Sequence, residues 1–389
     1  MSITILDCET TISNKGNPFD STNKLCAVGL HNLDFHHALK IEYGDEPYGS
    51  QLTLINRTLS EDTDLLVGFN LKFDLNWLYR YGIVYHGKVW DCQLFEHFAS
   101  NMTWIYPSLE ESCQRRNLEG QKYKDIEAYW DQKIDTTQIP WELIEKRVLS
   151  DISITEQLYL AQLEVFSTWP RNRQNLFTLQ CQDLLVLHHI ERNGFHYDEE
   201  KSKEETKTAQ AVLLDLQNQI HDLMDDHRPN LNSDEHLSAV LYGGKITYAI
   251  QQPNGVYKSG AKKGQTRYSW VEETVEYPRL VEPLEGTAAE KEGVWSVDKK
   301  VLGRLLNAKP KARVRDLLTL LLKFSAEARS ISSYLDGLPK LIKKMNWPAN
   351  MLHGTINQVV VKTGRTSSSK PNLQNFDGDL KHLFTSRFS

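Results

Sequence analysis

Apolar residues along this 389-residue chain fall at two spacings, and the change from one to the other divides it. Up to about residue 100, short period-two runs predict strands at residues 3–6, 24–32, 37–43 and 65–67, alternating with helical stretches in the manner of an α/β layer structure. After Val67 the period lengthens. Phe73, Trp77 and Leu78 share one helical face, while Asn70 and Asp74, four apart, share another. A strand that ends in a helix start sets Asp74 near the carboxyl edge of the sheet. A second helix opens at Ile139, Pro140 and Trp141 and runs to Leu160, with Asp151 among an apolar stripe of Val148, Leu149, Ile152 and Leu158.

From Pro170 the pattern is helical. One helix covers residues 180–192 and stops at Asn193-Gly194, and the next covers 198–224 with Val212, Leu213, Leu216 and Ile220 on its stripe. Between Gly243 and Gly293 the helical period is lost. Lys258, Lys262, Lys263 and Arg267, set among glycines, precede an acidic run from Glu272 to Glu285, which predicts a β-hairpin or a mobile insertion with a basic tip. Helices resume at Val297-Asp298, with Leu302, Leu305 and Leu306 and then residues 317–324.

Composition changes this picture in two ways. With 40% hydrophobic and 25% charged residues the chain is of globular type, and its length predicts about two to three domains. Its longest apolar runs fall short of the ~20 residues of a membrane span, no signal peptide precedes the first strand, and no membrane partner is expected. Cys8, Cys26, Cys92, Cys113 and Cys181 show no paired spacing, so neither a disulfide framework nor a zinc site is predicted and a cytoplasmic setting is expected. The formal charge of −6 is unevenly spread, with an acidic excess over residues 1–170, a smaller one over 171–300 and a basic excess over 301–389. Such asymmetry suits an acidic metal-dependent half and a basic half along a phosphate backbone, or two solvated faces of opposite sign.

The candidate chemistry begins in the first strand. Asp7 and Glu9 leave the same face of a strand, where two carboxylates repel unless a cation joins them. A hard ion such as Mg2+ or Mn2+ fits that role, and solvated turn residues are the alternative. With Asp74 and Asp151 they form an ordered set: Leu6 to Thr10 around the first pair, Asn70 to Asp74, then Asp151 with Thr155 and Leu158. In this arrangement the chain resembles the three motifs of the DEDD 3′–5′ exonucleases, and Val89, Trp90 and Asp91 resemble a segment those proteins carry between the second and third. The resemblance covers about residues 1–165. It implies an RNase H-like fold and two divalent metal ions. Asp7 would bridge both, Glu9 and Asp151 would complete one site, Asp74 would help fix the other, and Asn70 would give support. The departure is at Arg147 and Lys146, where the two branches of that family carry tyrosine or histidine. Arg147, on the same helix face as Asp151, is placed for an i,i+4 ion pair.

A second resemblance follows. Residues 188–198, then Asn230 to Ser233 with Leu237 to Gly244, and residues 328–339 resemble the thumb of family A (DNA polymerase I-like) DNA polymerases. Residues 363–375, TGRTSSSKPNLQN, with His353, Gly354 and Gln358 before them, resemble the entrance of the palm, with Thr366 in place of a leucine. The resemblance implies that Asn232, Ser233, Ser332, Tyr334, Arg365, Asn372, Gln374 and Asn375 meet DNA, with Arg365 reaching the minor groove at the primer terminus. The expected organisation is an exonuclease domain at 1–168, a mainly α thumb region at 169–350 with the insertion at 243–293, and the start of an α+β palm at 351–389, before the polymerase carboxylates. The expected partners are single-stranded and primer-template DNA and a second chain with palm and fingers, as in a split phage polymerase. The alternatives are a DNA-binding scaffold whose exonuclease is weak or silent, or a free-standing exonuclease of the RNase D kind.

Overall fold

The computed structural model describes residues 2–118, 125–224, 228–260, 262–376 and 378–388. The chain divides into two compact units, Met1–Glu199 with Leu338–Ser389, and Glu200–Gly337.

The first unit is built on a five-stranded sheet. Strand β1 (Ile3–Thr10) pairs antiparallel with β2 (Leu25–His31), which pairs antiparallel with β3 (His36–Lys40). Helix α1 (Gly49–Glu61) leads to β4 (Leu65–Gly68), parallel to β1, and α2 (Leu71–Arg80) leads to β5 (Lys88–Asp91), parallel to β4. The order is therefore β3-β2-β1-β4-β5. The predicted strands are all present, and β1 carries Asp7 and Glu9 inside the ladder, as a first strand over residues 3–11 predicts, rather than in a turn. β5 was visible in sequence only as the Val89-Trp90-Asp91 segment.

Short helices α3 (Cys92–Ala99), α4 (Leu109–Arg115) and α5 (Glu127–Asp131) lead to the long α6 (Trp141–Ser167) and to α7 (Arg171–Asn193). Gly29 of β2 allows α6 close to the sheet: a Cβ there would lie 2.5 Å from Val148 Cγ1 and 2.9 Å from Ile152 Cγ2. α7 starts nine residues before the expected position 180, directly after Pro170, whose fixed φ suits a helix entry. Its Phe177, Cys181 and Leu184 are buried in the same core as Trp90 and Phe95. Packing places α7 in the sheet's unit.

The same unit takes in the later segment. β6 (Phe195–Tyr197) pairs with two strands introduced below, and the chain passes through α8 (Glu199–Leu223) and α9 (Asp234–Tyr242) of the second unit. There β7 (Gly244–Val256) and β8 (Thr266–Tyr277) form an antiparallel hairpin, which settles the choice left open for the insertion. Helices α10 (Lys299–Asn307) and α11 (Ala312–Ser330) follow, and Leu216, Ile220, Leu237, Leu302, Leu318 and Leu321 are among the buried residues of this unit's core. A π-helical turn at Ile331–Leu335 precedes α12 (Gly337–Lys344). β9 (Met351–Leu352) and β12 (Phe384–Thr385) flank β6 in a three-stranded sheet, while β10 (Thr355–Asn357) pairs with β11 (Ser367–Ser369). Among the described residues no helix is long and apolar enough to cross a membrane.

Candidate metal centre

Asp7 and Glu9 alternate with Cys8 along β1, opposite Gly29 and Ala27 of β2. Cross-strand partners share a face, and Gly29 is where α6 meets the sheet, so the two acids point beneath α6. Asp151 lies one helical turn beyond Arg147 on that helix. One carboxylate oxygen from each of Asp7, Glu9 and Asp151 lies within 4.8 Å of the others. The sequence places Asp151 in a helix that could have turned it to solvent; the close approach at Gly29 instead buries it to 3% exposure.

Arg147 enters the same space. Its Nε lies 2.9 Å from Asp151 Oδ2 and 3.4 Å from Glu9 Oε1, and its Nη1 lies 3.8 Å from Glu127 Oε1. Burial disfavours the guanidinium's charge, but Asp151, then Glu9, Asp7 and Glu127, outweigh it and raise the pKa. The expected i,i+4 pair is present, and Glu9 is drawn into it.

Asp74 is buried in the first turns of α2 and hydrogen-bonded to the Cys8 thiol, on the residue that alternates with the two acids. Burial, and then the charge of Asp7, hold its carboxyl well above the usual range. It stands near Asp7 but outside the group of three. Asn70 sits at the entry of α2 with φ 61°, and lines a cavity of about 250 Å³ with Asp91, Gln93 and Ile356. Asp91 orders this region, accepting from the Leu71 amide at 2.7 Å and the Leu94 amide at 2.8 Å.

One group of residues was not singled out from sequence. Lys72 Nζ donates to Glu191 Oε1 at 2.6 Å and also to the Ile356 carbonyl, and the Ile356 amide donates back to Glu191. Asn76 Nδ2 donates to Glu191 Oε2 at 3.2 Å, and His188 Nδ1 lies 2.7 Å from Asn76 Oδ1. The signal was available: Lys72 and Asn76 are four apart on α2, and His188 and Glu191 three apart on α7.

The residues expected to meet DNA are divided. Ser233 Oγ caps α9 by accepting from the His236 amide at 3.4 Å. Asn232 and Ser332 come together on the wall of one cavity of about 530 Å³, which Lys299 and Arg329 also line; Ser233 and Tyr334 are not among its lining residues. Asn372 and Gln374 hold their own loop: Ser368 Oγ donates to Asn372 Oδ1 at 3.1 Å, and Gln374 Nε2 donates to Thr366 O at 3.2 Å. Asn375 ends the short 3₁₀ turn Leu373–Asn375, and Arg365 is exposed.

Comparison with known proteins matches residues 273–385 to DNA polymerase family A. The chain is 24% identical over 308 residues to DNA polymerase I of Synechocystis sp., covering 79% of this chain and 26% of that protein. It is 22% identical over 326 residues to DNA polymerase I of Pseudomonas aeruginosa, covering 83% and 31%. Its fold matches the POL domain of Pol1 from M. smegmatis, solved in complex with DNA primer-template and dNTP, with a TM-score of 0.62 at 14% identity over 96% of this chain and 52% of that one. Over these stretches the chain is similar to family A DNA polymerases. It spans about a quarter to a third of the length of these curated relatives. The matched residues 273–385 include Ser332, Tyr334, Arg365, Asn372, Gln374 and Asn375, whereas all four motif acids precede them.

Proposed function

We propose that this chain is the exonuclease and thumb portion of a family A DNA polymerase, removing nucleotides from DNA 3′ ends and holding primer-template DNA for synthesis. The observation that carries the first half is the convergence of Asp7, Glu9 and Asp151 within 4.8 Å. Three carboxylates without a sulfur or imidazole ligand suit a hard divalent ion, so the residues present fit Mg2+ or Mn2+. Bound there, such ions supply a water of lowered pKa and charge stabilisation of the leaving oxygen. The chain's part is to hold Asp7, Glu9 and Asp151 at fixed positions on β1 and α6, with Asp74 beside Asp7. Asp7→Ala or Glu9→Ala should abolish magnesium-dependent degradation of single-stranded DNA while leaving the thermal transition in place. Full activity in either purified variant would remove the assignment.

A second reading, a DNA-binding subunit with a weak or silent exonuclease, is favoured by Arg147, which already pairs with two of the three acids. Loss of a positioning hydroxyl at this place costs on the order of 10²–10⁴-fold. Arg147→Tyr is therefore expected to raise hydrolysis, and an unchanged rate would count against the arginine as the cause of weakness.

For synthesis, we infer a partner chain with palm and fingers that docks on the unit formed by residues 1–199 and 338–389. Support comes from the open edge at β12 and from Phe195, Phe376 and Phe384, which line an apolar-walled cavity of about 250 Å³. Co-elution with that chain and primer extension weakened by Arg365→Ala test this part.

A further inference from the structure

The β7–β8 hairpin changes character along its length. At its base Ile246 and Tyr277 are buried in the second unit's core, and the Tyr248 and Tyr277 hydroxyls lie 2.5 Å apart. Here the charges are mixed, with Lys245 paired to Glu276 at 3.4 Å and Glu272 and Glu273 following on β8. From Ile250 and Val271 outward, none of the described residues belongs to that core. At about 3.4 Å per residue this outer half extends roughly 20 Å.

The outer half contains Lys258, Lys262, Lys263 and Arg267 and, between Ile250 and Val271, no Asp or Glu. All four basic side chains are exposed. It also contains rings that a free-standing ribbon has no reason to show. Trp270 is 69% exposed and Tyr268 55%. They are two apart on β8, opposite Gln251 and Pro253, so both leave one face about 7 Å from each other. Lys262 and Tyr257 form a cation–π contact at 6.0 Å near the tip. Elsewhere on the ribbon the alternating Thr247 and Thr274 face each other at 3.0 Å, as an ordinary solvated surface does.

We propose that this outer half of the hairpin is a binding surface for single-stranded nucleic acid, with Tyr268 and Trp270 stacking unpaired bases and the four basic side chains following the phosphates. Interleaved cations and aromatic rings are what a sequence-tolerant single-strand site needs. The uniform positive sign selects a polyanion over an uncharged protein surface. The exposed rings select an unpaired strand over a duplex, whose base faces are already stacked on each other. The inference rests on the proposed handling of DNA and gives it a surface on the second unit.

The test measures binding of the whole chain to a fluorescent oligothymidylate and to a duplex of equal length by anisotropy, across a salt series. Tyr268→Ala with Trp270→Ala should weaken oligothymidylate binding at least about fivefold per ring and affect the duplex less. Replacing Lys258, Lys262, Lys263 and Arg267 by alanine should lower the slope of log K against log salt by about 0.7 for each phosphate that is no longer neutralised. Unaltered thermal transitions show that both variants fold, as solvent-facing changes predict. Equal loss on duplex and oligothymidylate would overturn the single-strand assignment. If the native chain binds DNA and both variants bind as it does, the hairpin is not the surface and only this inference fails; if the native chain binds no DNA at all, the proposed function fails with it.

Discussion

Two buried groups of charge in the first unit use the same residue types to opposite ends. Lys72 and Glu191 are one cation and one anion, with side chains 12% and 4% exposed, and the bonds around them close on Ile356 and Asn76. Around Arg147, the guanidinium stands among Asp7, Glu9, Asp151 and Glu127. The first arrangement is neutral and ties α2, α7 and β10 together. The second gathers several carboxylates about one guanidinium, with Asp7, Glu9 and Asp151 converging within 4.8 Å, an arrangement that a bound cation would stabilise. Convergence of like charges, rather than burial, therefore distinguishes the proposed metal site from the Lys72–Glu191 group.

The largest effect expected from breaking the comparison is on stability. Glu191→Ala leaves the Lys72 ammonium buried with only a carbonyl, and removing one partner of such a pair costs about 3–5 kcal/mol. Asp151→Ala should cost far less, because Glu9 still faces Arg147 at 3.4 Å and repulsion among the carboxylates falls. Denaturant midpoints of the two variants measure the difference. Equal losses would show that both groups are structural.

A smaller effect is a pH dependence confined to the neutral network. Burial, then His189, Arg192 and Lys72, push the pKa of His188 from 6.5 to about 3. Its folded pKa lies below its unfolded one, so the unfolded chain takes up the proton first. The contribution to stability is complete above about pH 6.5 and is lost as pH falls from there toward about 3, by an amount on the order of a few kcal/mol. In His188→Gln, which keeps a hydrogen-bonding group near Asn76, stability should fall less across that window. A slope identical to that of the native chain would show that His188 is not the titrating group.

How much of this was legible in sequence depends on the distance between the residues involved. The period-two alternation placed Asp7 and Glu9 on one face, and four-residue spacing placed Arg147 over Asp151, because each is local geometry. Strand β5 lacked a long alternating run and showed only as Val89, Trp90 and Asp91. The allocation of α7 was not legible: helical spacing over 180–192 does not say that Trp90 and Phe95 share a core with Phe177 and Leu184. Nor could spacing show that Asp74 stands with Cys8 instead of joining the three acids, since that depends on how α2 docks. The polar Asn372 and Gln374 are expected at DNA because their stretch resembles the entrance of the palm, not because of any spacing. Their bonds to Ser368 and Thr366 show that part of that polarity is used to shape the loop.

The smallest expected effect sharpens the other half of the comparison. A divalent ion entering between Asp7, Glu9 and Asp151 would compete with Arg147, which pairs with Asp151 at 2.9 Å and Glu9 at 3.4 Å, so part of its binding free energy would be used against those pairs. Stabilisation by a ligand grows with the logarithm of its concentration over its dissociation constant, reaching about 1.4 kcal/mol near tenfold excess. In the native chain millimolar Mg2+ or Mn2+ should therefore raise the melting temperature only slightly. Arg147→Gln removes the competing charge and leaves the carboxylates to repel one another, so this variant should melt lower without metal and gain more from it. Adding Asp7→Asn to Arg147→Gln should cancel most of that gain, which ties the shift to these acids and not to nonspecific ion binding. An equal metal-induced shift in the native chain and in Arg147→Gln would mean that arginine and metal do not share the site, and the carboxylates would then have to be read as a purely structural partner of α6.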